Sequence, residues 1–85
     1  MDLQALRGEI DQLDEQLWEV IGKRVDMARQ IGEWKRHHGE LVLQPERWQQ
    51  VMQHCHTSAN AHGLSEEVVD AVMEALHKES VRVES

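Results

Sequence analysis

Apolar side chains recur along the first part of the chain at Leu3, Leu6, Ile10, Leu13, Leu17, Val20, Met27, Ile31 and Trp34. This alternation of three- and four-residue steps is the seam of an amphipathic helix, sustained over more than four heptads. Between Asp2 and His38 only the isolated Gly8, Gly22 and Gly32 weaken it, each by about 1 kcal/mol relative to alanine. The pattern predicts one helix over residues 2–38. Such a helix is roughly 55 Å long, whereas a globule of this chain length is only about 25 Å across. One chain cannot cover the seam, so a second copy of the same helix is expected to do so.

A second helix is predicted over 45–62, opened by Pro45, whose missing N–H costs nothing in a first turn. Its stripe is Trp48, Val51, Met52, Cys55 and Ala59, and Gly63 should end it. A third, over 65–83, has Ser65 as N-cap, Glu66 and Glu67 in its first turn, and a seam of Val69, Val72, Met73, Leu76 and Val83. The Gly39–Gln44 linker is short, and no repeat or low-complexity tract is visible. The expected fold is all-α, a single domain over 1–85, with one very long and two shorter helices in an antiparallel homodimer.

Composition narrows the possibilities. No apolar run exceeds three residues and Met1-Asp2 supplies no basic leader, so neither a membrane span nor a secretory signal is expected, and the cytosol is the expected compartment. One cysteine excludes an internal disulfide and a thiolate zinc cage. Nine Lys and Arg against sixteen Asp and Glu give a net charge of −7, which disfavours nucleic acid and confines any basic site to a small patch. A chain this short buries only about 60% of its unfolded surface, a second reason to expect self-association.

Most cations have a carboxylate three or four residues away, the spacing of a solvated helix pair. Lys23 has Glu19 and Asp26, Arg29 has Asp26 and Glu33, Arg36 has Glu33 and Glu40, Lys78 has Glu74, Arg82 has Glu79 and Arg7 has Asp11. Arg24, Lys35 and Arg47 have none. Arg24 also falls on the heptad seam, seven residues after Leu17 and seven before Ile31, where a buried unpaired guanidinium would cost several kcal/mol. Lys35 lies eleven residues further, close to three turns and about 16 Å along the same face. The two can lean over the small Ala28 and enclose an anion. The rival explanation is a seam arginine that sets helix register or meets a carboxylate across a dimer. Arg7, roughly 25 Å from Arg24 along the helix, would reach that region only from an antiparallel partner; otherwise it pairs with Asp11. Ser80 and Glu84 continue the apolar stripe of the third helix and point to hydrogen bonds inside, unless the C-terminus frays.

Other signals are weaker. His37, His38, His54, His56, His62 and His77 read as solvated residues, because the i, i+2 pair around Cys55 points to different faces and makes no metal site. Cys55 lies on an apolar stripe and reads as core, and Trp18 and Trp34 as packing area.

Taken together, LRGEIDQLDEQLWEVIGKRVDMARQIGEWK from Leu6 to Lys35, VLQPER from Val42 to Arg47 and GLSEEVVDAVMEALHKES from Gly63 to Ser80 resemble the all-helical chorismate mutase family. The resemblance spans nearly the whole chain and rests on the joint spacing of Arg7, Arg24, Lys35, Arg47 and Ser80. It implies an intertwined dimer with two pockets, each built from both chains. It also implies the rearrangement of chorismate to prephenate in phenylalanine and tyrosine biosynthesis, with no metal, cofactor or covalent intermediate. Arg24 and Arg7 of the partner subunit would hold the two carboxylates, with Arg47 and Ser80 in support. Lys35 would donate to the ether oxygen as the carbon–oxygen bond breaks.

Three substrate-facing positions depart from the commonest family pattern. Gln44 stands where an aspartate is frequent, and Trp48 replaces a glutamate that contacts the ring hydroxyl. Glu84 stands where many members have glutamine, and a carboxyl donates to the ether oxygen only when protonated. Activity should then fall as rising pH ionises Glu84. Trp48 keeps open an isochorismate pyruvate lyase or a mutase of an amino-substituted chorismate on the same fold. A non-catalytic helical dimerisation or regulatory module is the rival outside enzymes. Family members occur alone or fused to other aromatic-biosynthesis enzymes.

Overall fold

The computed structural model describes residues 2–85. Helix α1 runs from Leu3 to His38, α2 from Pro45 to Ala61 and α3 from Glu66 to Glu84, and the described residues contain no strand. α2 stops one residue before its predicted limit and α3 continues one residue past it. Each boundary has a local cause. Asp2 caps α1 by accepting from the Ala5 N–H at 2.8 Å, and Ser65 caps α3 by accepting from Val68 at 3.3 Å. Gly39 closes α1 in the left-handed region (φ 67°), donating its N–H to the Lys35 carbonyl, and Gly63 follows α2 at φ 73°. Gln44 gives α2 no side-chain cap, so Pro45 carries that start alone.

α3 packs against both other helices, whereas α1 and α2 make no close backbone approach to each other. The tightest contact lies at Gly32, where a Cβ would sit 2.7 Å from the Glu84 Cα and 3.0 Å from its carbonyl oxygen. Only glycine lets the end of α3 close onto α1 here, and that closure carries the Glu84 side chain into the site described below.

The rest of α1 is bare. Every residue from Asp2 to Val20 is exposed, and Leu3, Leu6, Ile10, Leu13 and Leu17 are 45–59% accessible. Trp18 and Trp34 are also more than half exposed, so the packing area expected of them is not used within one chain. Ala28 and Val69 are the only buried apolar residues among those described. The Cα radius of gyration is 15.9 Å and the long axis 55 Å, against a radius of about 12 Å for a compact domain of this length. None of the helices is long and apolar enough to cross a membrane.

Candidate functional site

The C-terminal half of α1, the Gly39–Gln44 loop, the first turns of α2 and the last turns of α3 surround a cavity of about 390 Å³. Arg24 and Lys35 project into it from α1, Gln44, Arg47 and Trp48 from the loop and α2, and Ser80 and Glu84 from α3. Ala28 is buried at 5% exposure between the two α1 cations. Seven of the eight side chains singled out from the sequence thus meet in one place. Arg7 does not, because it lies on the bare half of α1, and among the described residues it makes no ion pair with Asp11.

The polar contacts sort the cations differently from local spacing. Arg24 donates from Nη1 to Ser80 Oγ at 3.0 Å, a neutral partner, and has no carboxylate among the described residues. Lys35, which has no partner within four residues, does have a counter-ion: Nζ reaches Glu84 Oε1 at 2.5 Å and donates to the Val42 carbonyl at 2.8 Å. Both side chains are nearly buried, at 12% and 10% exposure. Their separation in sequence, 49 positions, hides the pair from any test of neighbours on one helix. Arg36, expected to pair with Glu33 or Glu40, instead donates to the Glu84 backbone carbonyl at 3.0 Å. The expected pairs of Arg29 with Asp26, Lys78 with Glu74 and Arg82 with Glu79 do form.

Glu84 is therefore held at side chain, carbonyl and Cα, and fraying does not describe it. Ser80 and Glu84 are both buried, at 9% and 8% exposure. Three cations, Arg24, Lys35 and Arg47, face the cavity with one carboxylate, Glu84, leaving two positive charges in a chain whose net charge is −7. Donors also remain unspent. An ammonium has three N–H groups and a guanidinium five; Lys35 uses two within the chain and Arg24 one. What the cavity can do chemically is bind a small doubly charged anion and donate hydrogen bonds to it.

The histidines correct the sequence reading. His77 is half-buried, lines the cavity and stacks on Trp48 at a centroid distance of 4.1 Å. Its spacing of three from Ser80 and seven from Glu84 placed it on the same face of α3 and was the available signal. His56 bridges α2 to α3 through Asp70 at 2.8 Å, and His38 stacks on Trp34 at 3.9 Å. Cys55 is half-buried against a second, mostly apolar hollow between α2 and α3. Among the described residues no group of His, Cys, Asp and Glu is arranged to hold a metal ion.

Residues 6–85 match the model of a family described as chorismate mutase type II. The chain is 34% identical over 83 residues to a 4-amino-4-deoxychorismate mutase of Streptomyces venezuelae, covering 98% of this chain and 81% of that protein. A protein of the same name from Streptomyces pristinaespiralis is 32% identical, with 96% and 64% covered. The T-protein of Haemophilus influenzae is 33% identical over 78 residues, 92% of this chain but 21% of that protein, so the chain spans about a fifth of that relative.

Proposed function

Because the chain belongs to the chorismate mutase type II family, we propose that it rearranges chorismate to prephenate, as a cytosolic step toward phenylalanine and tyrosine. The observation that carries this reading is Arg24, a half-buried guanidinium on a helix seam with a neutral serine as its only partner among the described residues. Chorismate is a dianion, and the surplus of positive charge in the cavity suits it. The reaction is a cyclic shift of electron pairs: the ether carbon–oxygen bond breaks, a carbon–carbon bond forms, and no proton or co-reactant is needed. Arg24 and Arg47 bind carboxylates, confining the flexible side arm near its reactive geometry. The third N–H of Lys35 donates to the ether oxygen, where negative charge grows in the transition state, and Ser80 holds the Arg24 fork in place. Incubation with chorismate and identification of the product tests this. Prephenate supports it, whereas salicylate with pyruvate would mark a lyase.

The two amino-deoxychorismate mutase relatives, together with Trp48 in place of the family's glutamate, favour a second reading in which the ring substituent is an amine. The same assay with 4-amino-4-deoxychorismate separates the two. The T-protein match supports the view that this unit also serves inside longer chains.

The working unit in this proposal is an antiparallel homodimer in which Arg7 of the partner subunit completes each pocket. Arg7→Ala and Arg24→Ala chains should each be inactive alone. When they are mixed and allowed to re-pair, half the dimers carry one pocket with both arginines, so activity should return to about a quarter of wild type. No recovery after verified exchange of chains would place Arg7 outside the pocket.

Glu84 stands beside Lys35 at the ether oxygen in this proposal. Glu84→Gln puts an amide N–H where the carboxylate can only accept, so kcat at neutral pH should be kept or raised. A large loss of kcat in Glu84→Gln would remove Glu84 from this place.

A further inference from the structure

Trp48 and His77 form a wall of the cavity that the rearrangement itself leaves without a task. Their rings lie 4.1 Å apart and 28° from parallel, both are half-buried, and both line the cavity. Stacking fixes the plane of the imidazole but uses neither nitrogen. Among the described residues His77 makes no hydrogen bond, in contrast to His56, which bonds Asp70, and His38, which bonds the Trp34 carbonyl. Among the described residues no buried side-chain polar atom lacks a partner, so the nitrogens of His77 are open to a ligand or to water.

The polar groups of the substrate can be assigned in turn, on the rearrangement reading above. Two carboxylates go to the cations and the ether oxygen to Lys35 and Glu84. One polar group remains, the hydroxyl or amine on the ring. Three neutral polar side chains face the cavity beside Ser80: Gln44, whose amide nitrogen already donates to the Leu41 carbonyl at 3.3 Å, Trp48, whose indole N–H can donate but not accept, and His77, which is uncommitted and can do both. We infer that His77, held flat against Trp48, receives this ring substituent and helps to select the substrate that bears it.

An imidazole offers one accepting and one donating nitrogen, so it can accept a hydrogen bond from a hydroxyl or an amine and can donate to either oxygen or nitrogen lone pair. The charged groups facing His77 across the cavity are Arg24 and Lys35 on α1, Arg47 on α2 and Glu84 on α3, and the carboxylates and ether oxygen of the substrate occupy these, which leaves the ring substituent to His77.

The test is kcat/KM for chorismate and for 4-amino-4-deoxychorismate at one neutral pH, with an inhibition constant used for whichever compound is not turned over. His77→Phe keeps a stacking ring without nitrogens, and kcat/KM for the compound that is turned over should drop about five- to tenfold, the worth of one neutral hydrogen bond. His77→Gln restores a polar group and should recover most of that loss. If His77→Phe does not fold, His77→Leu takes its place beside His77→Gln. An unchanged kcat/KM in the apolar variant, or a loss that His77→Gln does not recover, overturns the assignment of His77 while leaving the rearrangement in place. Turnover of neither compound by the wild-type protein overturns the rearrangement and this inference with it.

Discussion

Arg24→Ala should lower kcat/KM for chorismate by about 10² to 10³-fold, the loss found when one preorganised donor to a developing or bound negative charge is removed. The helices and the dimer should survive unchanged. Arg24 contributes one hydrogen bond to Ser80 and no ion pair among the described residues, so alanine breaks no buried charge pair and leaves a serine hydroxyl that can turn to water. The substitution also removes one of three cations gathered around a cavity with a single carboxylate, which relieves repulsion in the empty protein. Its thermal midpoint should therefore stay level or rise slightly. Product formation and a thermal melt on the same sample check both halves. A variant that loses activity only because it unfolds would assign Arg24 to structure. A wild-type protein without turnover, made more stable by alanine, would favour a binding or dimerisation module.

How much of this was legible in the chain follows from the range of each interaction. The helices were, because a heptad seam, Pro45, Gly39 and Ser65 act within a few residues of themselves. The loneliness of Arg24 was legible too, since its seam position and its lack of a nearby carboxylate are both local facts. Lys35 passed the same test and yet is paired, because Glu84 arrives from the far end of the chain. What brings it there is Gly32, which looked like a weak point in a long helix and is instead the place where α3 touches α1 backbone to backbone. Arg36 was misassigned for the same reason. Its neighbours on α1 offered carboxylates, but the carbonyl of Glu84 lay closer once α3 had docked. His77 was lost among six histidines although its register with Ser80 and Glu84 marked it.

Leu13→Asp should convert the protein to a monomer with a partly melted α1, and the reason lies in the bare half of that helix. From Asp2 to Val20 every residue is exposed in the single chain, and Leu13 itself is 59% accessible. A free helical segment of this length, weakened by Gly8, is marginal in water. It persists if a second copy covers the seam, and each leucine buried there contributes about 1.5–3 kcal/mol. Two-fold symmetry counts the change twice per dimer and sets two carboxylates in an apolar contact, so the dissociation constant should rise on the order of 10³-fold or more. Sedimentation velocity and far-UV circular dichroism report the two effects. On the proposal that Arg7 of the partner subunit completes each pocket, activity should vanish with the dimer. Glu15→Ala, on the opposite face of the same turn, should alter none of these readouts. A Leu13→Asp protein that stays dimeric, helical and active would show that the seam is covered by something other than a second copy.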